Sequence, residues 1–372
     1  MWPLPYGVSY NSYLIDDEMV ALVDTVDICY FEVYLRKIKQ VIGERPINYL
    51  IINHMEPDHS GSIRLIKQHY PGIIIVGNKQ TFGMIEGFYG VTGEQYLVKE
   101  GDFLALGHHK LRFYMTPMVH WPETMMTFDE TDGVLFSGDG FGCFGTVDGG
   151  FLDTRINVDK YWGEMVRYYS NIVGKYGSPV QKALQKLGGL PISAICSTHG
   201  PVWTENIAKV IGIYDRLSRY DADEGVVIAY GSMYGNTEQM AEAIAEELSA
   251  QGVKNIVMHN VTKSHPSYII ADIFRYKGLI IGSPTYSNQI FPEVEALLSK
   301  ILLREVKGRY LGYFGSFTWA GAAVKRLAEF AEKSKFELVG DPVEMKQAMK
   351  DLTYTQCENL ARAMADRLKK DR

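Results

Sequence analysis

Cysteine is scarce: the 372-residue chain has four, Cys29, Cys143, Cys196 and Cys357, scattered and without a CxxC pair. That spacing argues against a disulfide scaffold, and the expectation is reduced thiols in a cytoplasmic protein. Long apolar runs are missing as well, the longest being far too short to span a bilayer, so no membrane segment is expected. The opening residues Met1, Trp2, Pro3, Leu4 and Pro5 lack the basic and apolar regions of a secretory signal. Positive charge is not in excess. A formal charge of −6 argues against the broad electropositive surface that a nucleic acid backbone requires, and no nucleic acid partner is expected. There is no internal repeat and no low-complexity tract.

What is present is the composition of a globular protein, 46% hydrophobic and 22% charged, in a chain long enough for two or three domains. Short apolar segments at 13–15 and 20–23, around an acidic turn, read as a β-hairpin. Apolar residues recur at helical spacing over 31–42, with Gly43 as the stop. Further strands are expected at 49–52, 73–76, 95–98, 102–106, 110–115, 125–129, 134–137 and 192–197. Helices are expected at 62–70, 81–87, 160–173, 180–187 and 206–220. The polar stretch 221–225 marks a boundary, dividing the chain into domains 1–222 and 223–372. Beyond it the pattern changes. Strands at 226–230, 256–258, 279–281, 310–314 and 336–339 alternate with helices at 238–251, 267–276, 291–303, 322–334 and 353–369. Five strands alternating with helices specify an α/β, doubly wound parallel sheet.

The densest chemistry follows the strand Tyr49, Leu50, Ile51, Ile52. The loop after it holds His54, Glu56, Asp58 and His59, four metal ligands within six positions. His120, Asp139 and His199 each follow another apolar β segment, and a loop at a strand's carboxyl end can aim side chains into one cavity. Imidazole nitrogen with carboxylate oxygen suits iron, zinc or manganese, and no cysteine stands near enough to argue for an iron–sulfur cluster. The other histidines, His69, His108, His109, His259 and His265, lie at helix ends or in turns and are expected to be solvated. The glycine-rich stretch 141–150 reads as a long loop that either shapes a substrate pocket or simply covers the surface.

The ligand run resembles that of the metallo-β-lactamase superfamily, HxHxDH, except that Glu56 replaces the second histidine. HxExDH is the form carried by flavodiiron proteins, also called A-type flavoproteins. An added anionic oxygen hardens the site and favours redox-active iron over zinc. The resemblance covers the chain from about Gly7 onward and implies a metallo-β-lactamase-like αββα sandwich for the first domain. It implies that His54, Glu56 and His120 bind one iron, that Asp58, His59 and His199 bind the other, and that Asp139 bridges them.

The second domain opens with a strand, then Gly231, Ser232, Met233, Tyr234, Gly235, Asn236 and Thr237, then a helix. Small and hydroxyl-bearing residues at a helix N-terminus offer N–H groups and a positive dipole end to a phosphate. The order resembles the FMN phosphate loop of flavodoxins, and it lacks the lysine of a Walker A loop. Two more loops follow strands of the same sheet, one with Ser283, Pro284, Thr285, Tyr286 and Asn288, the other with Ser316, Phe317, Thr318, Trp319 and Gly321. In a flavodoxin-like order they lie beside the phosphate loop, where Tyr286 and Trp319 flank the flavin ring.

Together the halves imply reduction of dioxygen to water, of nitric oxide to nitrous oxide, or of both, at two irons fed by FMN. The resemblance also implies a head-to-tail homodimer or a dimer of dimers. The chain starts almost at Gly7, where family members usually carry further β structure, and it has no four-cysteine rubredoxin module. A separate electron donor is therefore expected: rubredoxin, a flavin reductase or a reduced deazaflavin coenzyme. Two alternatives stand against this reading. A zinc-dependent hydrolase of the lactamase superfamily is disfavoured by Glu56 and the flavin loops, and a non-catalytic flavin electron carrier by the seven ligands.

Overall fold

The computed structural model describes residues 2–371; Met1 and Arg372, the outermost residues of the two expected domains, lie outside the described residues. Contacts divide the chain into two compact units, Leu4–Ser218 and Arg219–Arg372, the second joined by Trp2 and Pro3.

In the first unit, β1 (Tyr13–Ile15) and β2 (Ala21–Val23) form the expected hairpin, with Tyr13 opposite Val23. Then come α1 (Phe31–Ile42), β3 (Tyr49–Ile51), α2 (Pro57–Ser60), α3 (Ile63–His69), β4 (Ile74–Gly77), α4 (Lys79–Tyr89) and β5 (Gln95–Leu97), the strands joining in the order β1-β2-β3-β4-β5. Side chains alternate across this sheet. Ala21, Val23, Ile51 and Val76 meet Leu111, Phe113, Met125 and Phe136 of a second sheet. Leu22, Leu50 and Ile75 pack on Phe31, Leu35 and Ile38 of α1 and on Ile63, Ile66, Phe82 and Ile85. Helix α1 buries Phe31, Tyr34, Leu35, Ile38 and Ile42, the stripe its spacing predicts, and ends where the Gly43 N–H meets the Lys39 carbonyl.

The second sheet contains β6 (Phe103–Ala105), β7 (Lys110–Met115), β8 (Met125–Asp129), β9 (Val134–Gly138) and β10 (Ala194–Ser197). Strands β6 to β9 are an antiparallel meander, and β10 adds parallel to β9. Before β10 come α5 (Asp159–Tyr168), prolonged by a π turn at Tyr169–Val173, and α6 (Gly177–Leu187); α7 (Ile207–Ser218) follows it. Met126, Phe128, Leu135 and Ile195 point away from the inter-sheet core and are buried too, as are Tyr161, Met165, Tyr169, Val180 and Tyr214 from this helical layer. The result is an αββα sandwich whose ligand-bearing loops leave β3, β9 and β10 at their carboxyl ends.

The second unit runs β11 (Asp223–Tyr230), α8 (Asn236–Ala250), β12 (Ile256–Asn260), α9 (Pro266–Arg275), β13 (Tyr276–Tyr286), β14 (Gln289–Ile290), α10 (Pro292–Leu303), β15 (Tyr310–Phe317), α11 (Ala323–Ser334), β16 (Glu337–Leu338), β17 (Val343–Lys346) and α12 (Asp351–Lys369). The strand order β12-β11-β13-β15-β16 is the 2-1-3-4-5 arrangement of a flavodoxin-like sheet, parallel throughout this path. Its central strands are buried on both faces, which is why they read as continuous apolar runs. Val226, Ile228, Ile280 and Phe314 pack on Met240, Ile244 and Leu248 of α8 and on Leu360, Met364 and Leu368 of α12. The single fifth strand expected at 336–339 is shorter than predicted. Its partner role on β15 passes to β17, which pairs beside Phe314 to Phe317 after the chain is interrupted at Gly340, Asp341 and Pro342. Proline has no N–H to give a ladder, and the strand resumes beyond it. Among the described residues no helix is long and apolar enough to cross a membrane.

Candidate metal centre and flavin loops

The loop after β3 is pinned before it reaches its ligands. Asp24 Oδ1 accepts the N–H groups of Asn53 (2.8 Å) and His54 (3.3 Å), while Asn53 Oδ1 accepts the Thr127 hydroxyl of the opposite sheet at 2.8 Å. Burial pushes the Asp24 carboxyl up to about 6. The sequence presents 53–62 as an open loop, but Pro57 to Ser60 form one helical turn, α2, with Pro57 at its first position, where its fixed φ suits a helix and its missing N–H costs nothing. That turn sets Asp58 and His59 side by side. At the end of β9, Gly138 adopts φ +55° and turns the chain so that Asp139 enters the same cavity.

The structure brings all seven predicted ligands together. His54, Glu56, His120 and Asp139 form one group of mutually close donor atoms, and Asp58, His59 and His199 form another. Asp139 faces both: its Oδ2 is 3.1 Å from His120 Nε2 and 3.7 Å from His54 Nε2, and its Oδ1 is 2.9 Å from His59 Nε2 and 3.8 Å from His199 Nε2. Glu56 Oε2 lies 3.0 Å from His120 Nε2 and 3.4 Å from His54 Nε2. Asp58 approaches His59 at 3.3 Å and His199 at 3.4 Å. Separations of this size suit ligands that share an ion at roughly 2 Å.

The chemistry of the pocket also fits a cation. His54 Nε2, His59 Nε2 and Asp58 Oδ1 are buried and have no hydrogen-bond partner, an arrangement that costs stability unless something positive sits among them. Burial alone would raise the Asp139 carboxyl, yet His59 and His54 hold it well below the usual range. Glu56 is held down at about 2 against its own burial by its hydrogen bond to His120 and by the His54 ring 3.4 Å away. Burial would lower His199, but Asp58 and Asp139 push it up to about 9. Asp139 and Glu56 therefore stay ionised, and their charge suits a cation.

Further residues complete the site, and the sequence carried no spacing signal for them. Glu123 is fully buried, and its Oε1 meets His54 Nδ1 at 2.8 Å and accepts the Met55 N–H at 2.9 Å. His199 Nδ1 pairs with the Ser9 carbonyl at 2.7 Å, and Thr198 donates its hydroxyl to Asp139 Oδ1 at 2.6 Å. Trp121 sets its ring edge-on to His54, and Tyr10 and Tyr168 set theirs beside His199. The glycine-rich stretch divides. Phe141, Cys143 and Phe144 are buried core, whereas Thr146, Val147, Gly149 and Gly150 line a cavity of about 680 Å³ that Tyr10 and Tyr30 also line. Two of the histidines expected to be solvated are not: His109 Nδ1 lies 2.7 Å from Asp129, and His259 Nε2 lies 2.8 Å from Asp272. Their partners are 20 and 13 residues away in sequence, so only folding brings them together.

In the second unit the first predicted loop leaves the carboxyl end of β11, whereas the strands run further than expected into the other two. Ser283, Pro284, Thr285 and Tyr286 are the last residues of β13, and Ser316 and Phe317 the last of β15, so only Asn288 of the one and Thr318, Trp319 and Gly321 of the other lie beyond their strand ends. Gly235 has φ +87°, no side chain caps the first N–H groups of α8, and the space where a Gly235 Cβ would stand is open. A 15-residue helix with uncapped N–H groups fits a phosphate. Ser232 accepts the Gly235 N–H at 3.1 Å, and Thr237 meets Ser316 at 2.8 Å, tying the first loop to the third. Thr285 accepts the N–H groups of Ala322 and Ala323, tying the second to the third. Met233, Tyr234, Tyr286 and Trp319 present exposed apolar surface, Tyr234 at 87% and Trp319 at 83%. Ser283 behaves differently: it is buried, donates to the Pro284 carbonyl and accepts the Phe291 N–H, so its hydroxyl shapes the loop from behind.

Fold and site together define a class: a metallo-β-lactamase-like domain with two adjoining sets of side chains that could hold metal ions, followed in one chain by a flavodoxin-like domain. Comparison with known proteins agrees. Residues 8–200 match the family described as ODP family beta lactamase, and residues 228–359 match flavodoxin. The chain is 33% identical over 336 residues to the anaerobic nitric oxide reductase flavorubredoxin of Vibrio vulnificus, covering 89% of this chain and 68% of that one. Its fold is similar to rubredoxin oxygen:oxidoreductase from Desulfovibrio gigas, with a TM-score of 0.95 at 31% identity over 99% of this chain and 92% of that one. It is similar also to the flavodiiron protein of Giardia intestinalis, with a TM-score of 0.91 at 26% identity over 98% and 91%. The chain belongs to the flavodiiron protein family, as the HxExDH run implies. The family comprises oxidoreductases, and its flavodoxin domain implies a flavin.

Proposed function

We propose that this chain reduces dioxygen to water, or nitric oxide to nitrous oxide, at a non-haem di-iron centre supplied with electrons through FMN. The observation that carries the reading is Asp139, whose two oxygens divide between a His54–Glu56–His120 set and an Asp58–His59–His199 set in a chain that also has a flavodoxin-like unit. His54, Glu56 and His120 would hold one iron, Asp58, His59 and His199 the other, and Asp139 both. When bound, two ferrous irons store two electrons and reduced FMN two more, enough for the four that dioxygen takes up with four protons, or the two that a pair of nitric oxide molecules takes up with two protons.

The protein's own contribution is positioning and exclusion. The imidazoles are buried, while Glu56 and Asp58 are partly open, so the substrate enters from the carboxylate side. Tyr10, Trp121 and Tyr168 wall the histidines off from water. The FMN phosphate is assigned to Ser232, Met233, Tyr234, Gly235, Asn236 and Thr237 at the start of α8. Tyr286 and Trp319, whose faces are exposed, would hold the ring by stacking. The names of the two relatives, a flavorubredoxin and a rubredoxin oxygen:oxidoreductase, support a rubredoxin-type electron donor. A flavin reductase or a reduced deazaflavin coenzyme would serve the same purpose. We further take the chain to act in the cytoplasm as a head-to-tail homodimer or a dimer of dimers.

The test is to quantify metal and flavin in the purified protein, then to follow dioxygen and nitric oxide consumption by the chemically reduced form. About two irons and one FMN per chain with consumption of either gas is the expected result. Zinc with no gas consumption would overturn it.

A further inference from the structure

The two ligand sets look alike in composition, but their surroundings do not match. A metal-ligating imidazole becomes a stronger donor when its second nitrogen gives its proton to a carboxylate, and less so when it gives it to a neutral carbonyl. Of the four site histidines, His54 is the one among the described residues whose far nitrogen meets a carboxylate, Glu123 at 2.8 Å. His199 instead faces the Ser9 carbonyl, and His59 Nδ1 is buried with no hydrogen-bond partner. Asp24, a further buried carboxylate close by, spends its Oδ1 on the backbone N–H groups of Asn53 and His54.

Glu123 is held firmly in this role. Its Oε1 also takes the Met55 N–H at 2.9 Å, and its backbone carbonyl takes the Asn78 amide at 2.6 Å. An acceptor already engaged by one N–H leaves His54 no arrangement but Nδ1–H donation, which frees the Nε2 lone pair for the cavity. The bridging carboxylate is biased in the same direction. Thr198 donates to Asp139 Oδ1, the oxygen facing His59 and His199, and so withdraws electron density on that side, whereas Oδ2 has His120 and His54 before it.

We infer that Glu123 is a positioning residue that makes the two metal positions unequal, the one held by His54, Glu56 and His120 being the stronger. The inference rests on the two-metal reading of the site. Glu123→Gln keeps an oxygen for both hydrogen bonds and removes the charge, so it separates electrostatic support from shape.

The experiment takes the full chain with its flavin, stripped of metal, and titrates it with cobalt(II) against a competing chelator. The wild type should bind two equivalents in two steps. In Glu123→Gln one step should weaken by about ten- to a hundredfold and the other stay within about twofold. Equal weakening of both steps, or of neither, would overturn the inference. Because a variant can fail to fold, a second measurement uses wild-type protein given one equivalent of cobalt(II). Paramagnetic broadening should fall on the His54 and His120 ring resonances, and broadening centred on His199 or shared evenly would count against it. Should the wild type take up fewer than two equivalents, the two-metal reading itself falls and the inference with it.

Discussion

Asp139 is the residue on which both ligand sets depend. It is buried, each of its oxygens faces a different pair of imidazoles, and Gly138 turns it into place. Asp139→Ala should therefore lose most of the bound metal while leaving the flavin content of the protein unchanged, as metal analysis and the visible spectrum would report. Loss of flavin in that variant would mean that the two modules are not separable. Residues of this kind were legible because each of the seven candidate ligands follows an apolar β segment that the chain announces. Glu123 was not. A lone glutamate after Trp121 and Pro122 has the look of any polar loop residue, and its role is created by His54, 69 positions away, arriving beside it.

At the scale of elements, the glycines and ion pairs of the flavodoxin-like unit carry distinct weights. Strand β13 needs Gly282, because a Cβ there would stand 2.1 Å from the Phe314 ring, which is fully buried and cannot yield. Gly282→Ala should cost about 1–3 kcal/mol in denaturant unfolding, the range of overpacked cores. Beyond the C-terminus of α12, Asp371 receives Lys277 at 2.6 Å, the Tyr310 hydroxyl at 2.5 Å and Arg367 at 2.9 Å. The bonds from Lys277 and Tyr310 hold its carboxyl well below the usual carboxylate range. A depressed folded-state pKa contributes stability that is present above the unfolded value, about 4, and is lost on acidification below it. Asp371→Asn should accordingly lower the melting temperature at neutral pH, and its gap from the wild type should close as the pH falls from about 4 towards 2.

Element limits followed local signals where those signals were strong. The ends of α1 were readable from its apolar spacing and Gly43. Three features were not. The helical turn α2 is too short to show a period, the π turn after α5 continues the same helical pattern, and β17 has four residues whose pairing on β15 depends on where the Gly340 to Pro342 interruption lets the chain return.

For the whole molecule, two compact units with separate hydrophobic cores imply that the metal and flavin chemistries can be removed one at a time. Exhaustive treatment with a strong chelator should abolish gas consumption yet leave the flavin spectrum and the unfolding of the flavodoxin-like unit in place. A flavin that leaves with the metal would contradict that independence.

By itself the sequence determined the two-module plan and the chemical type of the candidate ligands. The former is a matter of local periodicity and the latter of side-chain type, and neither requires distant parts of the chain to meet. Tertiary structure alone decided that Asp139 faces both ligand sets and that Glu123 stands behind one histidine while a neutral carbonyl stands behind another. It also decided that His109 and His259 have carboxylate partners. These are contacts between residues far apart in the chain, set by which sheets and loops pack together, and no local pattern encodes them.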